Sequence, residues 1–456
     1  MSAAPSFRTG GARTLLHPVA LCLAVMPFQW LSVAGSAEGK LKLPYLVILV
    51  LLLSVLINPR AIMGCVMVVR RTALILVPYG FYLLILILAL YGSLGQMIPF
   101  RQVFFVAAFV ALAGYLAILP RPGDLFRYGA GMSLFLFVVV IEVLARKSGL
   151  SWTTAIPYFL TTGDLDYVIY SFFRTVFNAL NPDGETTVAA AAKNSLAVAV
   201  FVAGVLFRAG HAGPAQDRKG WAITLLALFF ILMLNTRSVL LVALASLPLV
   251  SFLRLARGDA VSLAGVFAKS VLAITFASLV LLFLTSDSGL LDTLQRRFDF
   301  SDNSTGSRFQ QYGWAMQNIE HNLLTGIGYA EIDGHPVHNL FLGAWMHAGI
   351  MAFLLVCVFY VGIIVAWLRF IAGLVRRPDH WILPVRSEWV AVLPMLPLFR
   401  VWLSGDAGHL FLGEWLALAA FFGALTANQV WRRMAEGSAL PTRPAQPVRL
   451  TVRSSQ

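Results

Sequence analysis

Charge is what this chain has least of. Only 12% of its 456 residues are charged, about half the share of an ordinary soluble domain. That excludes a solvated globular domain and a highly charged disordered chain alike. Carboxylates are the scarcest of all, with 21 Asp and Glu against 34 Lys and Arg and a net charge of +13. Cysteine is limited to Cys22, Cys65 and Cys357, each in or beside an apolar run. Three such thiols make neither a disulfide framework nor a thiolate metal site, and they read as small core hydrophobes. There is no internal repeat, no sustained heptad pattern and no low-complexity tract except a Pro/Arg-rich tail after Met434.

Hydrophobic residues, at 59%, fill the space that charge leaves. They form runs of roughly 18 to 22 residues, each long enough to cross about 30 Å of hydrocarbon as a helix. Segments in hydrocarbon satisfy their own backbone, so these runs are expected to be helical. The expected fold class is all-α, a polytopic membrane protein with about twelve transmembrane helices. The spans fall at roughly 15–34, 43–59, 72–92, 102–119, 125–144, 188–207, 220–235, 238–253, 263–285, 338–368 (with a break near Gly349), 389–403 and 409–430. The first resembles a signal sequence, but its length and the spans that follow favour a retained anchor.

With both termini inside, the inner segments collect most of the arginines, including Arg60, Arg70, Arg71, Arg369, Arg376 and Arg377. This is the positive-inside bias, so the surplus charge is topological and nucleic acid is set aside as a partner. Residues 1–434 then form a single transmembrane domain and 435–456 a flexible cytoplasmic tail. The large outer loop at 286–337, between helices 9 and 10, carries part of the site. A second outer segment holds Tyr167 to Leu180, whose aromatic pattern around Arg174 suits an interfacial helix.

Several polar residues sit where hydropathy predicts hydrocarbon. Arg237 lies in LNTRSVLL between two apolar runs, where it either snorkels to headgroups or offers its fork to a phosphate. Lys193 and Asn194 lie a turn into a span. Arg400 shares LPLFRVWLSGDAGHLFLGEW with Asp406, His409 and Glu414, and either binds substrate or forms a buried ion pair. Arg308 lies in SRFQQYGW, and LLTGIGYA follows with Gly326, Gly328 and Tyr329. Its glycines allow a tight turn or a close backbone approach to a ligand. Next comes GHPVHNLFLGAWMHAGI, with His335, His338, Asn339 and His347. No cysteine and few carboxylates are near these histidines, so no metal is expected. A helix starting near His338 would aim unpaired N–H groups outward, a favourable seat for an anion.

In this order the motifs (KN at Lys193 and Asn194, TRS at Thr236 to Ser238, SRFxxYxW, LLTGIGYA and HNLFLGAWMHAGI) resemble the O-antigen ligase/polymerase superfamily over roughly residues 185–370. The resemblance implies a membrane glycosyltransferase in the bacterial inner membrane, working at the periplasmic face without cofactor or metal. It would move a glycan from undecaprenyl diphosphate to an acceptor hydroxyl on a growing surface polysaccharide or on lipid A–core. Further polysaccharide-assembly proteins are expected neighbours, and membrane lipids surround it. His338, Arg237 and Arg308 are the expected catalytic residues: the imidazole orients or deprotonates the acceptor and the arginines neutralise the diphosphate. Lys193, Asn194, Arg400, Tyr329, Asn339 and His335 are expected to bind substrate. His335 and His347 are departures from the family's common pattern. A transporter or lipid-linked sugar flippase is the competing class, as is a noncatalytic scaffold in an export complex.

Overall fold

The computed structural model describes residues 17–30, 32–34, 41–89, 98–147, 152–164, 187–211, 217–234, 236–258, 303–328, 337, 339–404 and 410–438. The expected span 263–285, the interfacial helix at Tyr167 to Leu180, Tyr329, His335 and His338 lie outside the described residues.

The chain is all-α and polytopic. Among the described residues five helices are long and apolar enough to cross a membrane. In chain order the helices begin with α1 (Pro18–Ala24), a 3₁₀ turn at Met26–Trp30 and a small antiparallel ladder of β1 (Ser32–Ala34) with β2 (Leu41–Lys42). Next come α2 (Leu43–Leu56), α3 (Pro59–Ala89), α4 (Ile98–Ile118), α5 (Pro122–Lys147), α6 (Trp152–Thr162) and α7 (Thr187–Ala209). The second half holds α8 (Asp217–Met233), α9 (Arg237–Ala256), α10 (Asn303–His321), α11 (Leu340–Arg376), α12 (Ser387–Val390), α13 (Met395–Ser404) and α14 (Leu412–Ser438).

Two packed groups make the core. One is α3, α4, α11 and α14; the other is α1, α5, α7 and α8; α7 and α14 touch between them. Small residues set the closest crossing. A Cβ on Gly64 would meet the Gly114 carbonyl, and one on Gly423 would lie 3.1 Å from the Ala113 backbone. Without a hydrophobic drive between helices in lipid, such close backbone approach supplies the packing energy. The three cysteines are free thiols, Cys22 buried and the other two half-buried.

Three expected spans are corrected. The first apolar run does not continue as one helix, because α1 ends at Ala24 ahead of Pro27. Proline disfavours helical backbone in the residue before it, and seven helical residues rise only about 11 Å. Next, no inner loop holds Arg70 and Arg71: α3 runs straight through them. Its buried positions Val68, Thr72, Ile75, Tyr79, Tyr82 and Leu86 keep a three-and-four spacing, which leaves both arginines on the outward side. Lastly, 389–403 is divided between α12 and the ten-residue α13, with Pro394 between them. Neither piece is long enough to span by itself.

Candidate functional site

The site is built around a break in α11. Gly349 has φ 79° and ψ −176°, far from helical values, inside the 37-residue element. A left-handed φ suits glycine and disfavours every residue with a Cβ. The break strips helical partners from the nearby backbone groups, and the segment 323–328 supplies replacements. Ile327 N donates to Met346 O (2.8 Å), Gly328 N donates to His347 O (3.1 Å), and Ile350 N donates to Leu323 O (3.1 Å). The Trp345 indole N–H donates to the same Leu323 carbonyl at 3.1 Å.

The splice works only because both chains lack side chains at the contact. A Cβ on Gly326 would lie 2.6 Å from the His347 carbonyl carbon, and one on Gly349 would fall on the Leu324 carbonyl. The TGIG glycines therefore allow a close backbone approach, but the backbone they approach is that of α11.

His347 fastens the same junction. It is buried, and its Nδ1 lies 2.8 Å from the Gly328 carbonyl. A carbonyl only accepts, so Nδ1 carries the proton. The bond gives His347 a hold on the backbone of the TGIG segment.

A separate apolar cluster fixes α10 to the start of α11: Ala315 and Ile319 pack with Val337 and Met346, flanked by Tyr312 and Trp345. Asn339, expected to bind substrate, is the N-cap of α11. Its Oδ1 accepts from Phe341 N (2.9 Å) and Leu342 N (3.1 Å), which satisfies two of the otherwise orphaned donors there.

Arg237 opens α9 at its first turn, and the side chains of Arg237 and Arg308 lie outside the described residues. The N-cap Thr236 makes no side-chain hydrogen bond to that turn. Its hydroxyl is buried without a hydrogen-bond partner among the described residues. A helix start with an unspent hydroxyl beside an arginine is a place an anion can occupy. Thr236 escaped functional notice in the sequence, although the TRS triplet contains it. Helix α9 packs against α7, α11 and α13. Lys193 and Asn194 are half-buried in the second turn of α7, next to Ser195, whose Oγ donates to Gln29 Oε1 at 2.8 Å.

Arg400 stands apart from this group and forms the buried ion pair that its sequence setting allowed. It is fully buried, with Nε 2.6 Å from Glu414 Oε1 and Nη2 2.8 Å from Oε2. Glu414 Oε2 also accepts from Phe411 N (2.7 Å), and the guanidinium lies over the Phe411 ring at 4.3 Å. With its fork held by the carboxylate and no surface exposed, Arg400 joins α13 to α14. Asp406 and His409 lie outside the described residues. Beside it, Gln102 is a polar residue in an apolar helix. Its Oε1 accepts from Tyr79 (3.2 Å) and Trp415 (3.0 Å), and its Nε2 donates to Leu410 O (3.0 Å).

Residues 222–357 match the family model described as O-antigen ligase. That segment is similar to O-antigen ligases. No curated protein matches the chain. The O-antigen ligase segment starts in α8 and ends in α11 just past Gly349, so it contains Arg237, Arg308, His335, His338, Asn339 and the whole splice. It is narrower than the stretch of motif resemblance and leaves out Lys193, Asn194 and Arg400. The match supports glycan transfer in polysaccharide assembly by a glycosyltransferase-like enzyme.

Proposed function

We propose that the chain transfers a glycan from undecaprenyl diphosphate to an acceptor hydroxyl at the periplasmic face, with polymerisation of a surface polysaccharide preferred over ligation to lipid A–core. The observation that carries this reading is the start of α9. There the Thr236 hydroxyl is buried and unpartnered among the described residues, one position before Arg237 and within the O-antigen ligase segment.

The leaving group is a diphosphate, so the reaction needs cations and N–H donors where charge develops as the glycosidic bond breaks. Arg237, the first turn of α9 and Thr236 supply them from one side. Arg308 supplies a second fork from α10, which the apolar cluster holds against α11. His338 takes the proton of the acceptor hydroxyl. Lys193, Asn194, Tyr329 and His335 bind substrate in this reading. No metal enters this reading. The arginine bias supports cytoplasmic termini, and the family resemblance implies the bacterial inner membrane.

Purified protein incubated with lipid-linked oligosaccharide tests the proposal. A ladder of multiples is the expected product. A single shifted band on added lipid A–core would make it a ligase, and no transfer to either acceptor would refute glycan transfer.

A further inference from the structure

Helix α11 continues far beyond the splice. Gly349 and Arg369 are separated by about 30 Å of helix at 1.5 Å per residue, comparable to the hydrocarbon thickness. At that remote end α3, α11 and α14 part around a cleft of about 970 Å³. One half of it is apolar, walled by Leu74 on α3 and by Val358, Val361 and Val365 on α11. Leu74 is 84% exposed and Val361 56% exposed, so this wall opens sideways toward lipid and not into the core.

The other half is cationic. Arg71, Arg369, Arg376, Arg377 and Arg432 line it, and no aspartate or glutamate does. Arg432 pairs with Glu436 at 3.1 Å, outside the lining. Arg369, Arg376 and Arg377 form no ion pair among the described residues. The floor is held in place by hydrogen bonds. Arg71 Nη1 donates to Gln429 Oε1 at 2.9 Å, and Arg432 Nη1 lies 2.9 Å from His380 Nδ1. Asn428 Oδ1 accepts from Ile382 N (2.8 Å) while its Nδ2 donates to the His380 carbonyl (2.9 Å).

Clustered guanidinium forks without carboxylates call for an anion with several acceptor oxygens, and phosphate fits that demand. The adjoining valine wall calls for a hydrocarbon chain. Only an amphipathic molecule satisfies both, and a cleft open to the side admits one from the leaflet. We propose that this cleft binds an anionic glycerophospholipid, with its phosphate among Arg369, Arg376 and Arg377 and an acyl chain along Leu74, Val358 and Val361. The site lies on the face that the arginine bias assigns to the cytoplasm, where anionic headgroups meet basic pockets between helices. It is independent of the catalytic reading, since it shares no residue with that site.

The test is native mass spectrometry of the purified full chain with phosphatidylglycerol, cardiolipin or phosphatidylethanolamine added in equal amounts. The anionic lipids should be retained over phosphatidylethanolamine. The triple variant Arg369→Gln/Arg376→Gln/Arg377→Gln changes three exposed side chains and should bind them about a hundredfold more weakly, at roughly fivefold per arginine. An Arg60→Gln/Arg70→Gln variant, altered on α3 outside the cleft, should bind as the wild type does. Val361→Trp keeps every arginine but fills the chain path. It should lose long-chain phosphatidylglycerol while keeping a short-chain analogue. The proposal fails if the triple variant binds like wild type, if the Arg60/Arg70 variant loses as much, or if phosphatidylethanolamine binds equally. It also fails if polyprenyl diphosphate binds the cleft in place of the phospholipids.

Discussion

Replacing Gly349 by alanine tests the splice at its tightest point. The new Cβ meets two costs. The backbone at φ 79° and ψ −176° lies in a region essentially reserved for glycine, which costs an L-residue about 1–3 kcal/mol. The methyl also falls on the Leu324 carbonyl, so the segment 323–328 must withdraw. Withdrawal breaks the bonds from Ile327 N, Gly328 N, Ile350 N and the Trp345 indole. At roughly 1 kcal/mol net each, these sum to about 4 kcal/mol. The loss is local, because the apolar cluster of Ala315, Ile319, Val337 and Met346 still holds α10 to α11. The expectation is a folded protein whose amides at 327, 328 and 350 exchange faster by about a thousandfold, following the same free energy. Glycan transfer should fall about a hundredfold, as expected when reacting groups shift by an ångström. Gly313→Ala on α10 is the control: its Cβ meets nothing within 4 Å, and alanine should stabilise the helix by about 0.5–1 kcal/mol. Hydrogen exchange by mass spectrometry and a transfer assay read both outcomes. Wild-type protection at 327, 328 and 350 in Gly349→Ala, with transfer within twofold, would refute the reasoning.

Arg400→Leu strands Glu414 in the core and should destabilise the fold by about 3–5 kcal/mol, whereas Arg400→Leu/Glu414→Leu should recover most of it; thermal unfolding in detergent checks both. Arg237→Ala, Arg308→Ala and His338→Ala should each abolish polymer while leaving protein levels intact, and wild-type product from all three would remove them from the site. His211 follows α7, and its Nδ1 lies 2.6 Å from the Phe207 carbonyl. Burial lowers its pKa below the ordinary 6.5; the carbonyl opposes this, and Arg127, Arg208 and Arg386 add to the lowering. The folded chain therefore binds that proton less readily than the unfolded chain does. Stability is full above pH 6.5 and falls as the pH drops below it, by at most about 1.4 kcal/mol per unit. In His211→Gln that part of the slope should vanish from melting curves taken between pH 5 and 7.

Much of this architecture is legible along the chain. The starts of α8, α9 and α11 follow from runs whose own transfer free energy decides the matter, and the break near Gly349 shows as a glycine two residues after a histidine in an otherwise apolar stretch. Arg237, Arg308 and His338 stand out because each departs from its apolar or loop setting. The first span and the 389–403 span were misjudged for the same reason: hydropathy averages over prolines that stop a helix.

The sequence by itself determined that this is a helical membrane protein with a motif set of the O-antigen ligase type, since both follow from local composition and order. Tertiary structure alone decided the partners. It gave Arg400 to Glu414 and carried α3 through Arg70 and Arg71. It also seated LLTGIG in the α11 break and gathered arginines from α3, the end of α11 and α14 around one cleft. Transfer into a bilayer depends on each segment alone, whereas a hydrogen bond or ion pair depends on which helices cross and at what height, and no single segment carries that information.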